Sequence, residues 1–512
     1  MCGFLFTNKP NISKDDFLVG LKEIEHRGPD KTLCYYETSS YKLGHNRLAI
    51  LDIDSRSDQP FFSDDRRYVL VFNGEIYNYK ELASQFNIDM RTSSDTEVIL
   101  NLYIRFGHKM LNWLNGMFSF VILDMEEKKF FVARDRLGVK PLYFYSEGNN
   151  FIFSSEISSI IKLIGSVQID EVAIRQYKMM RSFFNNRTIY KNIKSFPAAH
   201  YMESGKLEKY WELNLEPKIS PSDEELRQLI ESAIQYRMIS DVSIGSYLSG
   251  GLDSSIVTIL SGVRDSWTVG FESFNEFQWS SLVAKQYDMK HHQIIINNEE
   301  FIALTKEIIQ KTKEPISVPN EVLLYKMTKE VKKKNTVILS GEGADELFFG
   351  YDRIFRWASS VNNWDVQAFS EYYSYGSHGD LEIVEDAIEP FLKYGTPLNI
   401  VSAFFQIAHL NGLLKRLDRA TMLCGVEARG PFLDYRLVER LAGTSFDYRM
   451  NSGIVKAPLK RVFKDILPEE IITRKKVGFP VNLQSIFTNK NVGTTDMDNW
   501  FELNMKILEE VL

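Results

Sequence analysis

The periodicity of this sequence changes once, between residues 206 and 225, and the text on either side of that change belongs to two different kinds of sheet. Before it, short runs alternate apolar and polar residues: YVLVFNGEIYN at 68–78, FSFVILD at 118–124, FFVARDRLGVKPLYFY at 130–145 and NNFIFSSE at 149–156. Turn residues separate these runs, and only 95–107 reads as a long helix, so this half is dense in strands. The stretch KLEKYWELNLEPKISPSDEE carries prolines, serines and charges and reads as a linker. Beyond it, Ser222 stands before Asp223, Glu224 and Glu225, a helix N-cap with Glu at the third helical position. Leu226, Leu229, Ile230, Ala233, Ile234 and Met238 then recur on one helical face. Short apolar strands at 243–248, 266–271 and 336–340 alternate with helical text, the pattern of a parallel α/β sheet. Residues 354–512 are mostly helical text. The expected organisation is a first domain over 1–205, a linker over 206–222 and a second domain over 223–512, within the range that 512 residues allow.

Composition removes several classes. Hydrophobic residues make up 44% and aromatics 13%, enough for large cores, and the charged fraction is ordinary. The net charge is -7, and the densest basic cluster, Lys332-Lys333-Lys334, reads as a solvated helix end, so no nucleic-acid partner is expected. No run approaches the ~18 apolar residues of a membrane span. The start, MCGFLFTNKPN, lacks the charged n-region of a signal peptide. Three widely spaced cysteines, Cys2, Cys34 and Cys424, form neither a disulfide framework nor a zinc pattern. The chain reads as soluble and cytoplasmic.

A cysteine at position 2 is exposed as a terminal residue when Met1 is removed, as happens when the second residue is small. Its α-amine, with a reference pKa of ~7.7, can take the thiol proton at neutral pH, so the nucleophile carries its own base. His26-Arg27-Gly28-Pro29-Asp30, Gly44-His45-Asn46-Arg47-Leu48, Phe72-Asn73-Gly74-Glu75-Ile76-Tyr77-Asn78 and Ser93-Ser94-Asp95-Thr96-Glu97 follow in order. Asn73 and Gly74 offer an amide and a backbone N–H to an oxyanion. Arg47 can fork onto an α-carboxylate, and Glu75 and Asp95 can pair with an α-ammonium. Taken singly, each is an ordinary turn or surface residue; Asn-Gly alone signals a hairpin. In this order and spacing the set resembles the class II glutamine amidotransferases. The resemblance covers about 200 residues and implies an α+β N-terminal-nucleophile domain, an αββα sandwich. It implies that Cys2 attacks the glutamine amide and releases ammonia, with Arg47, Leu48, Ile50, Asn73, Gly74, Glu75 and Asp95 holding glutamine.

The second centre is Ser249-Gly250-Gly251-Leu252-Asp253-Ser254-Ser255, between a strand and a helix. Backbone N–H groups at such a turn, with a helix N-terminus behind them, cradle phosphate. Asp253 would repel phosphate without a cation between them, which points to Mg²⁺. No G-x-x-x-x-G-K-[ST] is present, which excludes a P-loop NTPase. The segment resembles the pyrophosphate loop of ATP pyrophosphatases. Ser340-Gly341-Glu342-Gly343-Ala344-Asp345-Glu346 ends a further strand, where open α/β sheets place ligands. Leu417-Asp418-Arg419-Ala420-Thr421-Met422, Gly425-Val426-Glu427-Ala428-Arg429-Gly430-Pro431-Phe432-Leu433-Asp434, Lys456 and Arg474-Lys475-Lys476-Val477-Gly478-Phe479-Pro480 follow. Together these resemble the AMP-forming domain of asparagine synthetases over 225–485. The resemblance implies that Leu248, Ser249, Gly250, Gly251, Asp253, Ser254, Ser255, Val269, Ser340 and Gly341 contact ATP. It further implies that Asp253 and Asp345 hold Mg²⁺, that Glu342 serves the acyl-adenylate step and that Lys456 stabilises the pentavalent phosphorus.

Two centres suit one chemistry. A carboxylate is a poor electrophile until adenylated, and ammonia released in water would be protonated and lost. The expected partners are glutamine, ATP and a carboxylate, aspartate first, with a homodimer as a possible assembly. The chain departs from many relatives at Gly430, at Lys313-Glu314-Pro315, at Lys460 and in RKKVGFP, a variant resembling the branch found in polysaccharide and secondary-metabolite clusters. These departures bear on the acceptor. The alternatives are a different acceptor carboxylate, such as a uronate or a peptide acid, a β-lactam-forming ligase without glutaminase activity, and a non-catalytic scaffold. The last two predict decay at Cys2, Arg47, Asp253 or Lys456, and all four are intact.

Overall fold

The alternating runs of the first half pair as two six-stranded antiparallel sheets. In a computed structural model, which describes residues 2–375, 379–474, 481–487 and 495–512, one sheet runs Ile193–Ser195, Tyr143–Glu147, Asn150–Ser154, Gly3–Thr7, Lys42–Arg47, Lys31–Glu37. The other runs Lys206–Lys209, His200–Glu203, Lys129–Arg134, Gly116–Asp124, Tyr68–Ile76, Phe61–Phe62. Period-two alternation decides which side chains face which layer. Val69 and Val71 pack between the sheets with Phe4, Phe6, Val121 and Phe153. Their neighbours Leu70 and Phe72 point outward, into a core shared with the helix Asp95–Phe106. The helices Lys14–Lys22 and Ile157–Ile164 cover the other sheet through Phe17, Leu21, Ile157 and Ile160. The result is an αββα sandwich. The charged stretch Lys206–Lys209, read from sequence as the start of a linker, is an edge strand of the second sheet.

Ser222 caps the next helix, Asp223–Arg237, as its position predicts: its hydroxyl accepts from Glu225 N at 3.1 Å. A five-stranded parallel sheet follows, in the order Lys290–Ile295, Asp265–Gly270, Ile244–Tyr247, Val337–Leu339, Glu427–Arg429. Chain order reverses between Ile244–Tyr247 and Val337–Leu339. Ligands of open α/β sheets bind at such a switch point, outside the C-terminal strand ends. SGGLDSS leaves the first of these strands and SGEGADE leaves the second, so the two loops lie side by side. Glu427–Arg429, inside text that reads as helical, is the fifth strand. Residues 475–480 of RKKVGFP fall outside the described residues.

The two halves meet through an apolar cluster of Leu48, Ile50, Tyr77, Met117, Val337 and Met422. Buried ion pairs flank it. Arg27 Nη1 reaches Asp418 Oδ2 and Glu156 Oε1, both at 2.9 Å. Arg237 Nη1 reaches Asp434 Oδ2 at 2.6 Å, and Asn115 Nδ2 donates to the same oxygen at 3.2 Å. Among the described residues no helix is long and apolar enough to cross a membrane.

Candidate active sites

Cys2 lies at the start of the strand Gly3–Thr7, buried to 8% exposure. Its backbone N donates to Asn73 Oδ1 at 3.1 Å, its carbonyl accepts from Arg27 Nε at 3.1 Å, and its Sγ lies 3.9 Å from the Leu48 carbonyl. Burial pushes the thiol above its ordinary pKa, opposed by that Leu48 contact and by Arg47. A buried thiol needs a base within reach to become a nucleophile. Asn73, in the strand Tyr68–Ile76, spends its oxygen on Cys2 and keeps Nδ2 buried with no hydrogen-bond partner among the described residues. His45 is no base here: burial pushes it down to about 3, and its Nε2 lies 3.1 Å from the Phe72 carbonyl, which only an N–H can approach.

Glu75 and Asp95 form a buried acidic pair beside this centre. Asp95 Oδ2 accepts from Ile76 N at 2.8 Å. Glu75 Oε2 accepts from Arg429 Nη2 at 3.1 Å, while Oε1 is buried without a hydrogen-bond partner among the described residues. Burial, with Asp95 adding to it, raises Glu75 well above the usual carboxylate range against the pull of Arg429. Burial likewise pushes Asp95 up to about 6, opposed by its backbone hydrogen bonds. A raised carboxyl pKa means that the charged form is lost as pH falls through the folded value. A ligand ammonium that needs the Asp95 carboxylate therefore binds fully only at about pH 7 and above, and loses up to about tenfold in affinity by pH 5. With glutamine as that ligand, its KM would climb as pH falls below 6, and Asp95→Asn would flatten the profile.

Arg47 is 6% exposed and bonded to the segment that follows it. Its Nη1 donates to Asp58 Oδ1 at 2.7 Å and to the Asp54 carbonyl at 2.8 Å, and its Nη2 donates to the carbonyls of Leu51 and Asp52. These bonds tie Arg47 to the loop 51–58. Ile50 in the same segment accepts from Asp241 N of the second half at 2.9 Å.

In the second centre Ser249, Gly250 and Gly251 turn the chain into the helix Leu252–Ser261. Gly250 has φ +72°, and a Cβ there would lie 2.5 Å from Ser280 N and the Trp279 carbonyl carbon, so only glycine fits. Ser249 Oγ accepts from Gly251 N at 3.2 Å and lies 3.1 Å from Ser254 Oγ. The neighbouring loop is equally close: a Cβ on Gly341 would lie 3.0 Å from Asp253 Cβ and Ser254 N. Lys456, 4% exposed, bonds Asp253 Oδ2 and reaches Asp345 Oδ1 at 2.7 Å. Burial opposes its charge, but the two carboxylates outweigh burial and hold the ammonium above its usual pKa. Glu342 pairs with Arg416, whose Nη1 reaches Asn320 Oδ1 at 3.1 Å. Leu248 and Val269 are buried at the ends of their strands.

Several residues of these centres carry no role in the sequence reading. Gly350 lets Asp345 and Lys456 meet, because a Cβ there would lie 1.7 Å from Asp345 Oδ1 and 2.6 Å from Lys456 Cε. Arg474 Nη1 donates to the Gly250 carbonyl at 2.9 Å and pairs with Glu276, tying the loop from below. Arg416 lies one residue before the quoted LDRATM segment and carries no motif signal of its own. The departures divide. Gly430 sits by Glu342, where a Cβ would lie 3.5 Å from the Glu342 carbonyl and 2.6 Å from Leu433 Cδ1. Lys313 reaches the Val511 carbonyl at 3.2 Å, on the C-terminal helix Asp496–Val511. Lys460 lies near Lys456, where burial and that neighbour lower its pKa.

Comparison with known proteins agrees with this geometry. A glutamine amidotransferase domain family matches residues 1–211, and the asparagine synthase family matches residues 225–496. Asparagine synthetase [glutamine-hydrolyzing] 1 of Bacillus subtilis (strain 168) is 29% identical over 98% of this chain and 89% of its own length. A putative asparagine synthetase [glutamine-hydrolyzing] 2 of Methanocaldococcus jannaschii is 35% identical over 69% of this chain and 76% of its own. Asparagine synthetase B [glutamine-hydrolyzing] of Escherichia coli (strain K12) is 27% identical over 89% of this chain and 77% of its own. The chain belongs to the asparagine synthase family, with a glutamine amidotransferase domain at its front, and is an enzyme of the carbon–nitrogen ligase type that uses ATP.

Proposed function

We propose that this chain takes ammonia from glutamine at Cys2 and transfers it to an ATP-activated carboxylate in the second domain, and that the carboxylate is aspartate. The domain that carries Cys2 runs through the edge strand Lys206–Lys209, and the domain that carries Lys456 begins at the helix Asp223–Arg237. The observation that carries the reading is the pairing of two intact centres in one chain. Cys2 is held by Asn73 at one, and Lys456 lies between Asp253 and Asp345 at the other.

At the first centre the α-amine of a mature Cys2, held by Asn73 Oδ1, takes the thiol proton. Met1 lies outside the described residues. The thiolate attacks the glutamine amide carbon, and Asn73 Nδ2 and the Gly74 N–H meet the oxyanion. Glu75 and Asp95 hold the α-ammonium, Arg47 meets the α-carboxylate, and Leu48 and Ile50 line the pocket. The amine proton passes to the leaving nitrogen, and ammonia departs from a γ-glutamyl thioester that water cleaves to glutamate. Residues flanking Cys2 pack in the apolar cluster against Val337, which suits movement of a neutral amine between the halves.

At the second centre Ser249, Gly250, Gly251, Ser254 and Ser255 cradle phosphate, and Leu248, Val269, Ser340 and Gly341 flank the nucleotide. Asp253 and Asp345 already bracket one cation, Lys456, and two carboxylates converging on one point are the donors Mg²⁺ takes alongside phosphate oxygens. Bound there, Mg²⁺ would offset phosphate charge. The acceptor carboxylate attacks the α-phosphorus, pyrophosphate leaves, and Lys456 stabilises the charge gained at phosphorus. Glu342, oriented by Arg416, serves the acyl-adenylate, which ammonia attacks with loss of AMP.

A pocket built for aspartate pairs both its α-groups, and such a site rejects an analogue lacking them by roughly 10⁴-fold. With glutamine and Mg·ATP, aspartate is expected to give asparagine, AMP and pyrophosphate in equal amounts. A second reading, amidation of another carboxylate, is favoured by Gly430, because a side chain there would push Leu433 aside next to the Glu342 carbonyl. AMP formation with a uronate or peptide acid but not with aspartate would decide for it.

A further inference from the structure

We propose that Arg429, a residue of the second domain, is a positioning residue of the glutamine pocket in the first, so that the pocket is complete only when the two halves are docked. The inference rests on the reading that Glu75 meets the glutamine ammonium. Arg429 is fully buried, and its guanidinium has partners on every nitrogen. Nε donates to Glu427 Oε1 at 2.5 Å, Nη1 to the carbonyls of Arg237 and Ile239 at 2.8 and 2.7 Å, and Nη2 to Glu75 Oε2 at 3.1 Å. Three anchors from the second domain thus aim one N–H at one oxygen of the first. That contact fixes the Glu75 carboxylate in rotation and leaves Oε1 as the oxygen presented to a ligand.

The main chain of Arg429 does separate work. Its carbonyl accepts from Ser340 N at 2.9 Å, and its strand pairs in register with Val337–Leu339. One residue therefore touches the strand end that opens the nucleotide loop and the carboxylate two positions from Asn73. The chemistry also calls for arginine. Burial, Asp95 and Glu427 favour a neutral Glu75, and the adjacent guanidinium is the strongest pull toward the carboxylate that an ammonium needs. A lysine could keep the charge, but one ammonium on a flexible stem cannot hold Glu427, two carbonyls and Glu75 in one plane.

The test compares full-length wild type, Glu75→Gln, Arg429→Lys and the double variant, with glutamine and with ammonium chloride as nitrogen source. Arg429→Lys is expected to raise the glutamine KM by about tenfold or more while the ammonia-dependent kcat stays within about twofold. In the Glu75→Gln background the same change should add little, since the carboxylate it positions is gone. If Glu75→Gln raises the KM and Arg429→Lys does not, the inference is overturned and the glutamine pocket stands. If neither raises it, the pocket assignment falls as well. An equal drop in both kcat values with KM unmoved would mark Arg429 as purely structural and overturn the inference. Should Arg429→Lys fail to accumulate as folded protein, Glu427→Gln loosens the same guanidinium from behind. It is expected to raise the glutamine KM in the same direction, and an unchanged KM there overturns the proposal.

Discussion

Cys2→Ala removes glutamine-dependent product formation by orders of magnitude and leaves ammonia-dependent formation within about twofold of wild type. The expectation follows from geometry. Sγ is the atom that would attack the amide, and no other described side chain near Asn73 offers a nucleophile: His45 is neutral and bonded to a carbonyl, and Glu75 and Asp95 have raised pKa values. The second centre takes no contact from that sulfur. The change removes one sulfur from a buried site, at a stability cost of about 1–2 kcal/mol. Rates with glutamine and with ammonium chloride, measured on one preparation, check it. Equal loss of both activities would contradict a division of labour between two centres.

Lys456→Ala has the mirror-image effect. Acceptor-dependent pyrophosphate release is expected to fall by about 10²- to 10³-fold, the loss typical of removing one preorganised donor to a developing charge. Glutamine hydrolysis should persist. The buried ammonium bonds Asp253 and Asp345, and its removal leaves two carboxylates facing each other where phosphate has to bind. Retained glutaminase activity serves as the control that the chain still folds. If pyrophosphate release survives, the charge at phosphorus is met elsewhere, and Lys460 becomes the residue to examine.

The sequence carried much of this because its signals are local. A serine before three acids, a glycine turn between a strand and a helix, and period-two alternation are all decided within a few residues. What it concealed depends on distant contacts. Lys206–Lys209 pairs as an edge strand although its charges read as linker, because an edge strand needs a neighbour and not an apolar run. Glu427–Arg429 is too short and too charged to read as a strand, and its charges pair with each other and with Glu75 across the domain boundary. The bonds of Arg47 to the carbonyls of Leu51 and Asp54 are announced by no motif. Gly350 is one glycine among 29 until Asp345 and Lys456 are seen on either side of it.

The measurement that bears most directly on the whole account is the joint yield of products from aspartate, glutamine and Mg·ATP, with succinate in place of aspartate as the control. The account predicts asparagine, AMP and pyrophosphate in equal amounts with aspartate, and almost none of the nucleotide products with succinate. No AMP above background with aspartate, alongside AMP with another carboxylate, would contradict aspartate as the acceptor while leaving the two-centre chemistry in place.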